Sequence, residues 1–180
     1  MGRMAQENHV VSMRYLKPLL VKPQRGNAVV NIVPHSQPPR SVLFSLAKIF
    51  VWLLEEWYAN LFMDKRGELL ICDRYYHDLL IDPVRYRYGG PTWAAALVGK
   101  LMPRPQLWIL LDAPVEVLQS RKQEVSPTEC ARQRQAYQDF VCKQRKFAIV
   151  DASLSLDNVI ADVARAVVEL NSMKHMMESV

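Results

Sequence analysis

Three cysteines are all that the 180 residues carry, and Cys72, Cys130 and Cys142 form no CxxC pair. An odd number with that spacing argues against a disulfide framework and suits a reducing cytoplasm. Metal motifs are missing as well: His9, His35, His77 and His175 are scattered, with no HExxH and no clustered Cys/His spacing. The longest apolar stretch is interrupted by Lys48, Glu55 and Glu56, short of the roughly 18 residues that a membrane span requires. The opening MGRMAQENHVV has no apolar targeting core, and Gln6 stands where a myristoylation pattern needs Ser or Thr, so neither export nor lipidation is indicated. There is no internal repeat, no low-complexity tract and no G-x-x-x-x-G-K-[ST] phosphate loop.

The residues that are present fit one globular domain, 1–180, since half of them are hydrophobic. The formal charge of +5 suits an anionic ligand: nucleotide phosphates, nucleic acid or an acidic membrane face.

The chain is organised around LLICDRYYHDLLIDPVRYRYGGP, residues 69–91. Leu69, Leu70, Ile71 and Cys72 do not alternate, as expected of a strand covered on both faces in a parallel sheet. The run stops on Asp73-Arg74, and ligands of open α/β sheets collect outside the carboxyl ends of strands. A structural ion pair is the plainer reading of one Asp-Arg dipeptide. His77 beside Asp78 could form a base with an orienting carboxylate, although a hydrogen-bonded surface histidine is commoner.

Around this stretch the pattern is α/β. His9 to Met13 reads as a strand running into a basic loop with Arg14, and Lys22 to Arg40 as a long proline-rich loop with a brief extended piece near Ala28 to Val33. Ser41 to Met63 is the strongest helix, capped by Ser41 and closed by Gly67, and apolar around nearly its whole circumference. It is expected either to be buried or to expose a stripe with residues such as Phe44, Trp52 and Leu61 as a subunit contact. Helices are expected over Pro91–Met102, Pro114–Lys122, Glu129–Arg145 and Ser155–Met173. Strands are expected over Leu107–Leu111, ending on Asp112, and Phe147–Val150, ending on Asp151. One parallel sheet would bring Asp73, Asp112 and Asp151 to a shared edge.

Taken in order, Asp73-Arg74-Tyr75, the strand to Asp112 with Pro114, Glu116 and Arg121, the basic segment through Arg134, and Val150-Asp151-Ala152-Ser153 resemble the thymidylate kinase family from about His9 to Val168. The resemblance implies a P-loop nucleotide-kinase fold, a parallel sheet flanked by helices, that moves a phosphoryl group from ATP with Mg2+ to a nucleotide monophosphate. It implies catalytic roles for Asp73 and Arg74, with Asp73 holding the metal or its waters. Arg121, Arg132 and Arg134 would close over donor phosphates, and Ser153 would border adenine. Tyr75, His77, Asp78, Asp82 and Arg14 would line the acceptor site, and the 41–63 helix would pair a homodimer. Such transfer relies on positioning and charge neutralisation, which guanidinium groups serve through bidentate contacts.

Two departures accompany the likeness. Ile81-Asp82-Pro83 stands where the family carries Ala-Tyr-Gln, and the phosphate loop is absent, so the first matching residues correspond to the family's second strand. The expectation is a domain lacking its first strand, loop and helix, with negligible turnover and marginal stability. The rivals are a non-catalytic nucleotide-binding pseudokinase and an interaction protein. Nucleic-acid binding ranks lower, because the basic residues are spread over several elements.

Overall fold

The structure is a computed structural model that describes residues 10–15, 35, 37–62 and 68–178, with only the backbone described for 10–15, 68–69, 171 and 173–178. The stretch Ala28 to Val33 and the helix stop at Gly67 lie outside the described residues. The chain divides into two compact units, 1–103 and 104–180. Each is a parallel strand pair with helices.

In the first unit β1 (Val10–Tyr15) runs parallel to β2 (Glu68–Asp73) in a register from Val10↔Glu68 to Tyr15↔Asp73. Both strands therefore leave the sheet at one edge. Arg14 lies within β1 opposite Cys72, not in the loop that the sequence suggested. Leu70 and Ile71 are each 40% exposed, so β2 is not covered on both faces.

Between these strands runs α1 (Val42–Phe62). The Ser41 hydroxyl accepts from the Phe44 amide, which satisfies one of the first-turn donors. Ser45, Ile49, Trp52 and Ala59 fall on one stripe at helical spacing and are buried. Leu43, Phe50, Leu54, Tyr58, Leu61 and Phe62 point outward. Trp52, expected on an exposed stripe, belongs to the buried one, where its ring takes Tyr76 and Tyr86 edge-on at 6.1 and 5.8 Å. The short α2 (Asp78–Ile81) follows, then α3 (Thr92–Leu101), which offers small residues, Ala94, Ala95 and Gly99, to the same core. A Cβ on Gly99 would sit 3.4 Å from the Tyr76 ring. The Tyr76 hydroxyl donates to the Ala95 carbonyl and the Trp57 indole to the Leu101 carbonyl, so α1 and the 75–81 segment are both tied to α3.

The second unit pairs β3 (Trp108–Asp112) with β4 (Phe147–Asp151) in parallel, Trp108 opposite Phe147 and Asp112 opposite Asp151. α4 (Val115–Arg121) and α5 (Pro127–Val141) separate the strands, and α6 (Leu156–Glu178) follows. Ser126-Pro127-Thr128-Glu129 starts α5 as a capping sequence: the Ser126 hydroxyl accepts from the Glu129 amide, and proline stands where no amide donor is needed. Trp108 packs edge-on against Phe140 at 5.0 Å. The four strands, expected in one sheet, form two two-stranded sheets, one in each unit. Among the described residues no helix is long and apolar enough to cross a membrane.

One close approach shapes the first unit. A Cβ on Gly89 would lie 2.1 Å from the Arg40 carbonyl oxygen, because the Arg40 amide bonds the Arg87 carbonyl and the Gly89 amide bonds the Ser45 hydroxyl. Gly89→Ala is expected to cost about 1–3 kcal/mol or more, as overpacking against backbone does. A lower urea midpoint at unchanged slope is the expected result, and a wild-type midpoint would refute the contact.

Candidate functional site

At the carboxyl end of β2 the chain turns through Arg74, whose φ of 68° lies in the left-handed region that costs a non-glycine residue about 1 kcal/mol or more. Its guanidinium, roughly half-exposed, lies 3.5 Å from the Asp78 carboxylate one helical turn on. Asp73 is exposed beside it. Tyr75 is buried and donates to the Pro103 carbonyl, while the His77 ring stacks on it at 5.8 Å and 17°. Tyr86 completes the cluster. Burial pushes its hydroxyl pKa up, Asp78 adds to the rise, and Arg74, which approaches without a regular hydrogen bond, and Arg85 oppose it. The local sequence explains the placement: Asp78 opens α2, so its carboxylate sits at a helix start four residues from Arg74.

Asp82, expected at the acceptor, is committed elsewhere. It is 4% exposed, its Oδ2 lies 2.8 Å from His35 Nε2, and its Oδ1 accepts from the Arg85 amide. These bonds hold the 82–88 turn, as the Asp-Pro sequence favours. For Arg14 the backbone alone is described, at the penultimate position of β1.

In the second unit Asp112 and Asp151 end neighbouring strands, as expected, and with Ala113, Pro114, Arg134 and Ile149 they line a shallow cavity of about 300 Å3. Arg134 reaches Asp112 with two parallel bonds of 2.8 Å, and Gln138, one turn along α5, adds a third. The Arg134 bonds hold the Asp112 carboxyl below the usual range, with help from Gln138 and against the effect of burial. Asp151 is lowered by the Ser153 hydroxyl and amide. The remaining basic residues are placed separately: Arg132 forks onto Glu129 on the exposed face of α5, and Arg121 donates to the Ala152 carbonyl. Arg121, Arg132 and Arg134 therefore each hold a local protein acceptor, and Ser153 is engaged with Asp151.

Among the described residues no three His, Cys, Asp or Glu side chains gather as a metal-holding group. Asp73 offers a single carboxylate, which suits magnesium, an ion commonly held by one or two carboxylates together with substrate phosphates. Sequence reasoning missed Lys48, Tyr86 and Gln138. Lys48 counted only as an interruption of an apolar run, and Gln138 carried no signal beyond its helical spacing from Arg134.

No protein-family model matches the chain, and no curated protein matches it.

The Asp112 carboxyl gives a pH test. Its pKa is lowered in the fold, so its contribution to stability is complete above the ordinary value near 4 and is lost as pH falls through the folded value. Arg134→Met should move acid unfolding to higher pH, read by circular dichroism. An unmoved acid midpoint would reduce the pair to decoration.

Proposed function

We propose that the chain is a thymidylate kinase-like phosphotransferase in architecture, taking ATP and a nucleotide monophosphate or related acceptor, with turnover impaired. The observation that carries this is Arg74, a left-handed residue at a parallel strand's carboxyl end with a partly exposed guanidinium steadied by Asp78. Strain of that kind at a non-glycine is commonly retained where a side chain must be aimed. The two parallel pairs β1–β2 and β3–β4 further support it, being the pairs that flank the central strand of that fold.

In this reading Arg74 neutralises a transferring or accepting phosphate. Asp73 holds magnesium together with the nucleotide's phosphates, and the ion supplies charge neutralisation. Tyr75 and His77, stacked on each other, give the acceptor an aromatic wall. Arg134 would have to leave Asp112 before it could meet donor phosphates. No phosphate loop stands in the sequence to supply amides and a lysine, and loss of even one preorganised donor costs about 10²–10³ in rate.

A second reading, nucleotide binding without catalysis, is favoured by the bonds that already occupy Arg132 and Arg134. The outward apolar face of α1 favours a third, an interaction protein that pairs through this helix as a homodimer.

Calorimetric titration with thymidine monophosphate and ATP separates them. Binding that Arg74→Ala weakens about tenfold or more, the worth of one or two charge-assisted bonds, is expected, with phosphoryl transfer near background. No binding by the wild-type chain would leave the interaction reading alone. Ordinary turnover would remove the impairment.

A further inference from the structure

Lys48 lies on the second turn of α1, and its ammonium is fixed on three sides. It donates to the Tyr86 carbonyl at 3.0 Å, lies 4.6 Å from the centre of the Trp52 ring and 5.7 Å from that of Tyr86. Two arginines share the place. Arg40 and Arg87 are joined by the bond from the Arg40 amide to the Arg87 carbonyl, one residue beyond the carbonyl that holds Lys48. Arg87 has a φ of 52° and donates Nε to the Pro38 carbonyl and one Nη to Gln37, while Arg40 lies over the Phe44 ring at 4.6 Å.

The three cations are thus held by carbonyls and rings, where surface lysines and arginines usually pair with acids or move in water. Burial brings the Lys48 pKa down to about 8, and among the described residues the charged groups that add to the fall are Arg40 and Arg87. The acids of the same loop region are committed: Asp82 to His35 and the Arg85 amide, Asp78 to Arg74. The Tyr86 hydroxyl is turned toward Arg74, so what faces Lys48 from Tyr86 is its carbonyl and its ring. Three cations on adjoining segments that are held by carbonyls and rings rather than by carboxylates leave their charge uncompensated, and an outside anion completes such a place.

We propose that Arg40, Lys48 and Arg87 form a binding site for a phosphate dianion, separate in its residues from Arg74. Phosphate fits because two planar guanidiniums and one point charge match a compact group with several acceptor oxygens. A bound dianion offsets the mutual repulsion of the three cations and favours the charged form of Lys48, so binding near pH 8 takes up protons. The site does not depend on phosphoryl transfer, and Arg74 takes no part in it.

The test is calorimetric titration of the full chain with inorganic phosphate and with phenyl phosphate. Wild type is expected to bind both, Lys48→Met and Arg40→Gln each to weaken binding about tenfold or more, and exposed Lys143→Gln to leave it unchanged. At pH 8, titrations in buffers of different ionisation enthalpy should show proton uptake, lost in Lys48→Met. Tighter binding of phenyl phosphate identifies a phosphate monoester whose organic group lies beside the exposed Phe44, and equal binding identifies free phosphate. The methionine keeps the apolar stem over Trp52; should that variant not fold, Arg40→Gln, on the exposed segment before α1, decides the matter. No binding by wild type, unchanged affinity in Arg40→Gln, or binding abolished by Arg74→Ala alone would overturn the proposal.

Discussion

Tyr76 has no exposed surface, and three segments of the first unit depend on where its ring lies. It meets Trp52 of α1 edge-on, bonds Ala95 of α3 through its hydroxyl, and begins the segment that carries His77 and Asp78. An aromatic ring of this size fills the space that Ala94, Ala95 and Gly99 leave open, and its hydroxyl would be costly to bury without the Ala95 carbonyl. With Tyr76 fixed, the chain just before it has little freedom, and Arg74 takes up a left-handed conformation to make the turn out of β2. The aim of the Arg74 guanidinium is therefore set by core packing two residues away.

The distribution of charge follows a similar logic. An excess of five positive charges could have spread over the surface, yet the arginines of the second unit are mostly spent on nearby acceptors. Arg134 holds Asp112, Arg132 holds Glu129, and Arg165 holds Asp162. The first unit has a different balance around Lys48, where carbonyls and aromatic faces replace carboxylates. A cation over a tryptophan face keeps part of its favourable electrostatics without being neutralised. That leaves a net positive place on the unit, and it carries the phosphate-site inference.

α1 shows how one helix can serve two needs. Its stripe of Ser45, Ile49, Trp52 and Ala59 forms the core, and Ser45 is tolerated there because its hydroxyl accepts from the Gly89 amide. The opposite side stays apolar and exposed. An exposed apolar face of this length is uncommon on a protein that acts alone.

Sequence by itself determined the kinds and order of the elements apart from the one-turn α2, since short apolar runs that stop on aspartate and helices with serine or proline starts carry their signals within a few neighbours. Val42–Phe62, Trp108–Asp112 and Phe147–Asp151 each lie within a residue or two of their expected bounds. Sequence also placed Asp73, Asp112 and Asp151 at strand ends, because a break from apolar to acidic residues is a local event. Tertiary structure alone decided which strands pair, that Trp52 faces inward, and that Asp82 meets His35 across 47 residues. It alone turned Arg134 onto Asp112 and brought Lys48 beneath a loop some 38 residues away. Periodicity reports which residues share a face of one element. The partner that face meets depends on packing among segments distant in sequence, and no local pattern encodes it.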